Sequence, residues 1–185
     1  MLTQQGYRKL CKRYDYEGNA HYLTFSCYKN QPFLANERTR QWLLASIRRA
    51  QGKHLFDFWA WVIMPEHVHM LVLPHVGISV ILSAIKSPVA KSASLWVKTN
   101  APDFLPRMLD VQPNGRQVVQ FWQCGGGYDR NISSTKELLE KIRYIHLNPV
   151  RRELVGLAEE WPWSSFTAWH SDTDRPLKLD KEAFP

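Results

Sequence analysis

At 185 residues the chain suits one globular domain with its own core and is short for two. Apolar residues make up 44% of it, yet no run approaches the ~20 residues of a membrane span, and MLTQQGYRKLCKRYD at the start lacks the apolar segment of a signal peptide. The expected location is therefore the cytoplasm, with no membrane partner. The formal charge of +7, from 24 Lys and Arg against 17 Asp and Glu, suits a partner with a phosphate backbone, although charge alone does not select one.

Cys11, Cys27 and Cys124 are widely separated and form no C-x-x-C pair, which reads as three reduced thiols. After a basic leader with Arg8, Lys9, Lys12 and Arg13, the segment His21–Tyr28 predicts a first strand. Tyr22, Thr24, Ser26 and Tyr28 fall on one face, Leu23, Phe25 and Cys27 on the other. Asn36 is placed to cap a helix over Glu37–Gln51, which Gly52 stops. Leu55–Met64 and His67–Pro74 are rich in β-branched and aromatic residues, and with only Pro65-Glu66 between them they predict a hairpin.

Ile78–Thr99 predicts a helix that Pro88 should kink or divide. Ala101–Gly115, with three prolines, reads as a loop, and Val118–Gln123 as a fourth strand followed by the flexible run Gly125-Gly126-Gly127. Ser133 or Ser134 can cap a helix carrying Lys136–Leu147, with Leu138, Leu139 and Ile142 along one stripe. Pro149 should end it at Leu147 or Asn148. The aromatic tail with Trp161, Trp163, Phe166 and Trp169 is expected to pack over the sheet. The order β-α-β-β-α-β-α is that of an α+β, ferredoxin-like (split βαβ) fold, an antiparallel sheet with helices on one face and the other open to a ligand. The expected organisation is one domain over 1–185, core about 20–170, with a basic leader 1–19 and a tail 171–185.

Two constellations can carry chemistry. In a strand, His67 and His69 project to one face and form half of a divalent-metal shell, while Val68 points inward. An H-x-H pair is also found as two ordinary strand histidines. Tyr144 and Asn148 are four apart, so on a helix a phenol lies one turn from an amide oxygen able to join a metal shell. Spacing alone fits equally a packing tyrosine and a C-terminal cap.

Taken together, Val62-Ile63-Met64-Pro65-Glu66-His67-Val68-His69, Phe121-Trp122-Gln123, Tyr128-Asp129-Arg130 and Tyr144-Ile145-His146-Leu147-Asn148-Pro149-Val150-Arg151 resemble the HUH transposases with one catalytic tyrosine. Within these, the chain is most similar to the REP-associated tyrosine transposases, over about 22–166. The resemblance implies that His67 and His69 hold Mg²⁺ or Mn²⁺. It makes Tyr144, on a helix after the last strand, the nucleophile, and Asn148 the third ligand, where related insertion-sequence enzymes often carry glutamine. The implied reaction cleaves and rejoins single-stranded or hairpin DNA through a 5′-phosphotyrosine, at hairpin-forming repeats. Lys86, Arg130, Arg143 and Arg151 are candidates for phosphate contacts, and Trp122 and Tyr128 for stacking on bases. His146 could line the edge of the site. Homodimer and monomer both remain open. So do two other readings: a metal-dependent nuclease that hydrolyses DNA or RNA with water, and a non-catalytic nucleic-acid-binding module on a ferredoxin-like sheet.

Overall fold

Alternation of side chains in the first strand sets the two faces of the molecule. In β1 (Ala20–Ser26), Leu23 and Phe25 enter one core while Ala20 and Tyr22 enter another on the opposite side of the sheet. The structure, a computed structural model, describes residues 18–125, 127–171 and 176–185. The leader cations Arg8, Lys9, Lys12 and Arg13, together with Cys11 and Gly126, lie outside the described residues.

Asn36 caps α1 (Glu37–Gln51) by accepting a hydrogen bond from the Arg38 backbone at 2.9 Å, and Leu43, Leu44, Ile47 and Ala50 form its buried stripe. A hairpin follows, β2 (Phe56–Ile63) and β3 (His67–Pro74), closed by Met64 N–H donating to His67 O at 2.8 Å. The turn is held from outside: Cys27 N–H donates to Glu66 O and Leu34 N–H to Pro65 O. These bonds locate His67 at the strand entrance. α2 (Ile78–Asn100) then returns beside α1.

α2 runs undivided across Pro88, so of the two expected effects of the proline, division does not occur. An interior proline costs about 3 kcal/mol. Burying an aliphatic side chain gains ~1.5–3 kcal/mol, and Ile81, Ile85 and Val89 around Pro88 are all buried in the core.

The expected loop and fourth strand are also corrected. Residues 101–115 contain the 3-10 turns Pro102–Met108 and β4 (Leu109–Val111), which pairs with β5 (Gln117–Val119) in a separate ribbon. The strand that joins the main sheet is β6 (Tyr128–Ile132). The end of the earlier stretch only brushes the sheet, through an isolated bridge between Trp122 and Cys27, with Gln123 N–H donating to Ser26 O and Tyr28 N–H to Phe121 O. All pairs in the sheet are antiparallel, in the order β2-β3-β1-β6. This is the ferredoxin-like α+β arrangement, with both crossover helices on one face.

α3 (Thr135–Arg151), capped by Ser134, crosses the other face, where Leu138, Ile142 and Ile145 pack on Trp59, Ala60, Val62 and Leu71. Leu139 does not join this stripe and is 53% exposed. The helix continues through Pro149 to Arg151. Arg152 N–H bonds to Asn148 O and Leu154 N–H to Pro149 O, so the chain finds partners beyond the proline. The aromatic tail seals the outer edge of β2, as expected of a strand that would otherwise offer unpaired backbone. Ile63 N–H donates to Trp163 O, Ser165 N–H to Trp61 O, and Trp169 Nε1 to Trp59 O. No helix among the described residues is long and apolar enough to cross a membrane.

Candidate active site

The face crossed by α3 carries the histidine pair. Because β3 pairs antiparallel with β1, Thr24 stands opposite His69, and Tyr128 of β6 stands opposite Thr24 in turn. Tyr22, Thr24, His67, His69, Tyr128 and Arg130 therefore share one face.

The Nε2 atoms of His67 and His69 are 3.0 Å apart. Each ring is engaged at its other nitrogen. His67 Nδ1 lies 3.1 Å from Glu66 Oε1, and Glu66 also receives Arg152 at 2.9 Å. His69 Nδ1 lies 2.7 Å from Tyr22 Oη and 2.8 Å from Thr24 Oγ1. With Nδ1–H donating to these oxygens, both Nε2 lone pairs converge, an arrangement that a cation between them relieves. Burial holds both imidazoles below their ordinary pKa. His69 is pushed down to about 3, with the charge of His67 adding to the burial effect. Both rings are thus neutral at physiological pH, the form that donates to a metal.

Asn148 supplies the third polar group. Its Nδ2 is 3.2 Å from His69 Nε2, while its Oδ1 is buried without a hydrogen-bond partner. A half-turn of the amide exchanges the two atoms and aims Oδ1 at the histidine pair. Two donors ~2.1 Å from an octahedral centre and at right angles lie about 3.0 Å apart, so the histidine spacing and the orphaned amide oxygen fit a hard divalent ion. Among the described residues no group of three His, Cys, Asp or Glu converges, and the Asn148 amide is a candidate third donor beside the histidine pair.

Tyr144 lies one turn before Asn148 on α3. Its ring meets His69 edge-on at 5.6 Å between centroids and Tyr22 at 6.1 Å, and Arg151 covers it at 5.1 Å. It remains 36% exposed. The phenol, both histidines and the amide therefore meet within one chain.

Of the DNA-contact candidates, Tyr128 and Arg130 share this face. Arg130 is ion-paired with Glu137 at 2.6 Å, and Arg143 is exposed beside Tyr144 on α3. Two candidates lie elsewhere. Trp122 is only 5% exposed, packs on Phe25 and donates its indole N–H to Lys86 O, so it is a core residue with no face to offer a base. Lys86 sits on α2, behind the sheet, and reaches Gly125 O. His146 is likewise not at the edge of the site; it is buried, with Nε2 2.9 Å from Ser165 Oγ. Sequence reasoning missed Tyr22 and Thr24 as partners of His69. Their shared strand face was legible, but only the β1–β3 register brings them to it. An apolar cavity of about 510 Å³, lined by Phe33, Trp42, Trp96 and Phe104, lies on the α1/α2 side, away from this chemistry.

The REP-associated tyrosine transposase of Escherichia coli (strain K12) is 24% identical over 170 residues, 90% of this chain and 86% of that protein. The chain is similar to the REP-associated tyrosine transposases. A solved structure of a REP-associated tyrosine transposase bound to a REP hairpin shares the fold, with a TM-score of 0.67 and 22% identity over 87% of this chain and 84% of that one. No family model matches the chain. The resemblance read from the motifs is borne out by these transposases, and the α+β fold is theirs.

Proposed function

We propose that the protein is a single-tyrosine, transposase-type DNA nuclease and strand transferase acting on single-stranded DNA at hairpin-forming repeats. One observation carries the reading: Tyr144, four residues before Asn148, rests against His69 of its own chain, 5.6 Å between ring centroids. The kinship with a transposase and the hairpin bound by the structural relative support the substrate class.

His67, His69 and the Asn148 amide would hold Mg²⁺ or Mn²⁺, which when bound would offset charge on a non-bridging phosphate oxygen. The remaining work belongs to the chain. Glu66, and Tyr22 with Thr24, keep Nδ1 of each histidine occupied and Nε2 directed into the site. Tyr144 Oη attacks phosphorus, forming a Tyr–O–P bond as the P–O3′ bond breaks. The phenolic proton leaves to water, to which the half-exposed ring has access, and the departing oxygen gains a proton as a free 3′-OH. The phosphodiester energy is kept in the 5′-phosphotyrosine, so a second 3′-OH can reverse the step and rejoin the strand. Arg151 over the phenol, and exposed Arg143 on the same helix, would hold flanking phosphates.

Wild-type protein with Mn²⁺ and a single-stranded repeat hairpin is expected to give a protein–oligonucleotide band on a denaturing gel, and Tyr144→Phe none. Cleavage that persists in Tyr144→Phe without an adduct would establish water as the nucleophile and overturn the reading.

A further inference from the structure

Tyr128 shares three properties with Tyr144: an exposed aromatic ring, a place on the histidine face and an edge-on contact with Tyr22. Among the described residues, of the large apolar and aromatic side chains more than about a third exposed, only Tyr128, at 50%, and Tyr144, at 36%, are aromatic. Both stand on the histidine face and both meet Tyr22 edge-on, each at 6.1 Å between centroids. Tyr22 is thus a buried post between the two exposed phenols, with His69 stacked on it and Lys141 Nζ 5.2 Å from its ring.

The placement of Tyr128 is imposed by the backbone. Gly127 has φ +73, and a Cβ there would stand 2.0 Å from Thr24 O. Only glycine lets the chain come this close to β1 and deliver the next side chain opposite Thr24. An exposed tyrosine presents a ring face on which an unpaired base can stack. The surroundings are cationic. From α3, Lys141 lies over the Tyr22 ring and Arg151 over the Tyr144 ring, and Arg130 is two residues along β6, with Glu137 its partner.

We propose that the Tyr128 ring is the stacking platform for an unpaired base next to the phosphate presented to Tyr144, and so makes the site select single strands over duplex. This rests on the reading of the face as a DNA site but not on its chemistry. A base inside a duplex has both faces covered by its neighbours, whereas an unpaired one can lie on the tyrosine while its phosphate reaches the cations. Stacking of this kind is sequence-tolerant, because every base has a π-face.

Binding of the full chain is measured in EDTA, so that no strand is cut, with two probes. These are a (dT)12 oligonucleotide carrying one 2-aminopurine and a 12-base-pair duplex. Wild-type protein is expected to prefer the single strand and to quench 2-aminopurine. Stacking worth ~1–3 kcal/mol per base means that Tyr128→Ala weakens single-strand binding about 5- to 150-fold, loses the quench and leaves duplex binding unchanged. Tyr128→Phe keeps both, which separates loss of the ring from loss of fold. The proposal is overturned by a wild-type protein with no single-strand preference, by Tyr128→Ala binding (dT)12 as well as wild type, or by equal losses on both probes. Covalent adduct formation is read separately. An intact quench with no Tyr144 adduct would strike the cleavage reading alone, and an adduct with no Tyr128 effect would strike only this one.

Discussion

At the scale of single residues, Asn148 shows how function sets a local cost. A buried amide oxygen without a partner costs on the order of 1–3 kcal/mol in the metal-free protein. If that oxygen is held for a cation, Asn148→Ala should leave the metal-free fold as stable as before or more so. It should weaken Mn²⁺ binding by at least about 10- to 100-fold, the range for groups that merely orient a metal's ligands. Calorimetric titration beside a thermal melt reads both, and unchanged Mn²⁺ affinity would remove Asn148 from the ligand set. The oxygens of Tyr22, Thr24 and Glu66 act one step further out, holding each imidazole at Nδ1. A carboxylate at Glu66 that also anchors Arg152 ties the histidine strand to the end of the tyrosine helix.

At the scale of elements, β6 is the strand on which the site's open side depends, and Gly127 is the residue that admits it. Gly127→Ala forces a left-handed backbone on a residue that disfavours it and drives its Cβ into Thr24 O. A loss of about 2 kcal/mol or more is expected in urea unfolding, with weaker single-strand binding as Tyr128 is displaced. A melt indistinguishable from wild type would show that β6 has another anchor. This strand was the least legible part of the sequence. Tyr-Asp-Arg-Asn-Ile is polar because an edge strand keeps one side in solvent, whereas Val-Val-Gln-Phe-Trp-Gln carries the residues that strands favour yet divides between a ribbon and the core. The α1 limits and the β3 limits were legible, since cap, stripe and tight turn all act locally. Pro149 misled for the opposite reason. Its local preference to end α3 is overridden by packing that buries Asn148 and Pro149 and by hydrogen bonds that resume after them. In the site, the shared faces of His67 with His69 and of Tyr144 with Asn148 were legible from spacing, while their roles rested on the resemblance. Trp122 was not legible, because an aromatic side chain reads alike whether it stacks on a base or on Phe25.

At the scale of the whole molecule, the sheet separates two tasks. One face buries α1 and α2 and supplies the larger core, and the other carries α3 and the polar cluster. Buried neutral histidines link that second face to pH. Burial, with a smaller contribution from His170, pushes His146 down to about 4. Its unfolded form titrates near 6.5, so the unfolded chain binds the extra proton first. Its contribution to stability is complete above pH 6.5 and is lost as pH falls towards 4, on the order of 3 kcal/mol in all. His146→Gln should flatten the fall of the urea midpoint between pH 7 and pH 5. An unchanged slope would mean that His146 is not neutral in the fold.

The central claim, that Tyr144 is the nucleophile served by its own chain's histidines, is tested most directly by mapping the covalent adduct. Mn²⁺-loaded protein is incubated with a single-stranded hairpin substrate, digested, and analysed by mass spectrometry for a nucleotide-bearing peptide. The account predicts a 5′-phosphotyrosine on Tyr144. A nucleotide on Tyr22 or Tyr128, which share the same face, or cleaved DNA with no modified peptide, would contradict it.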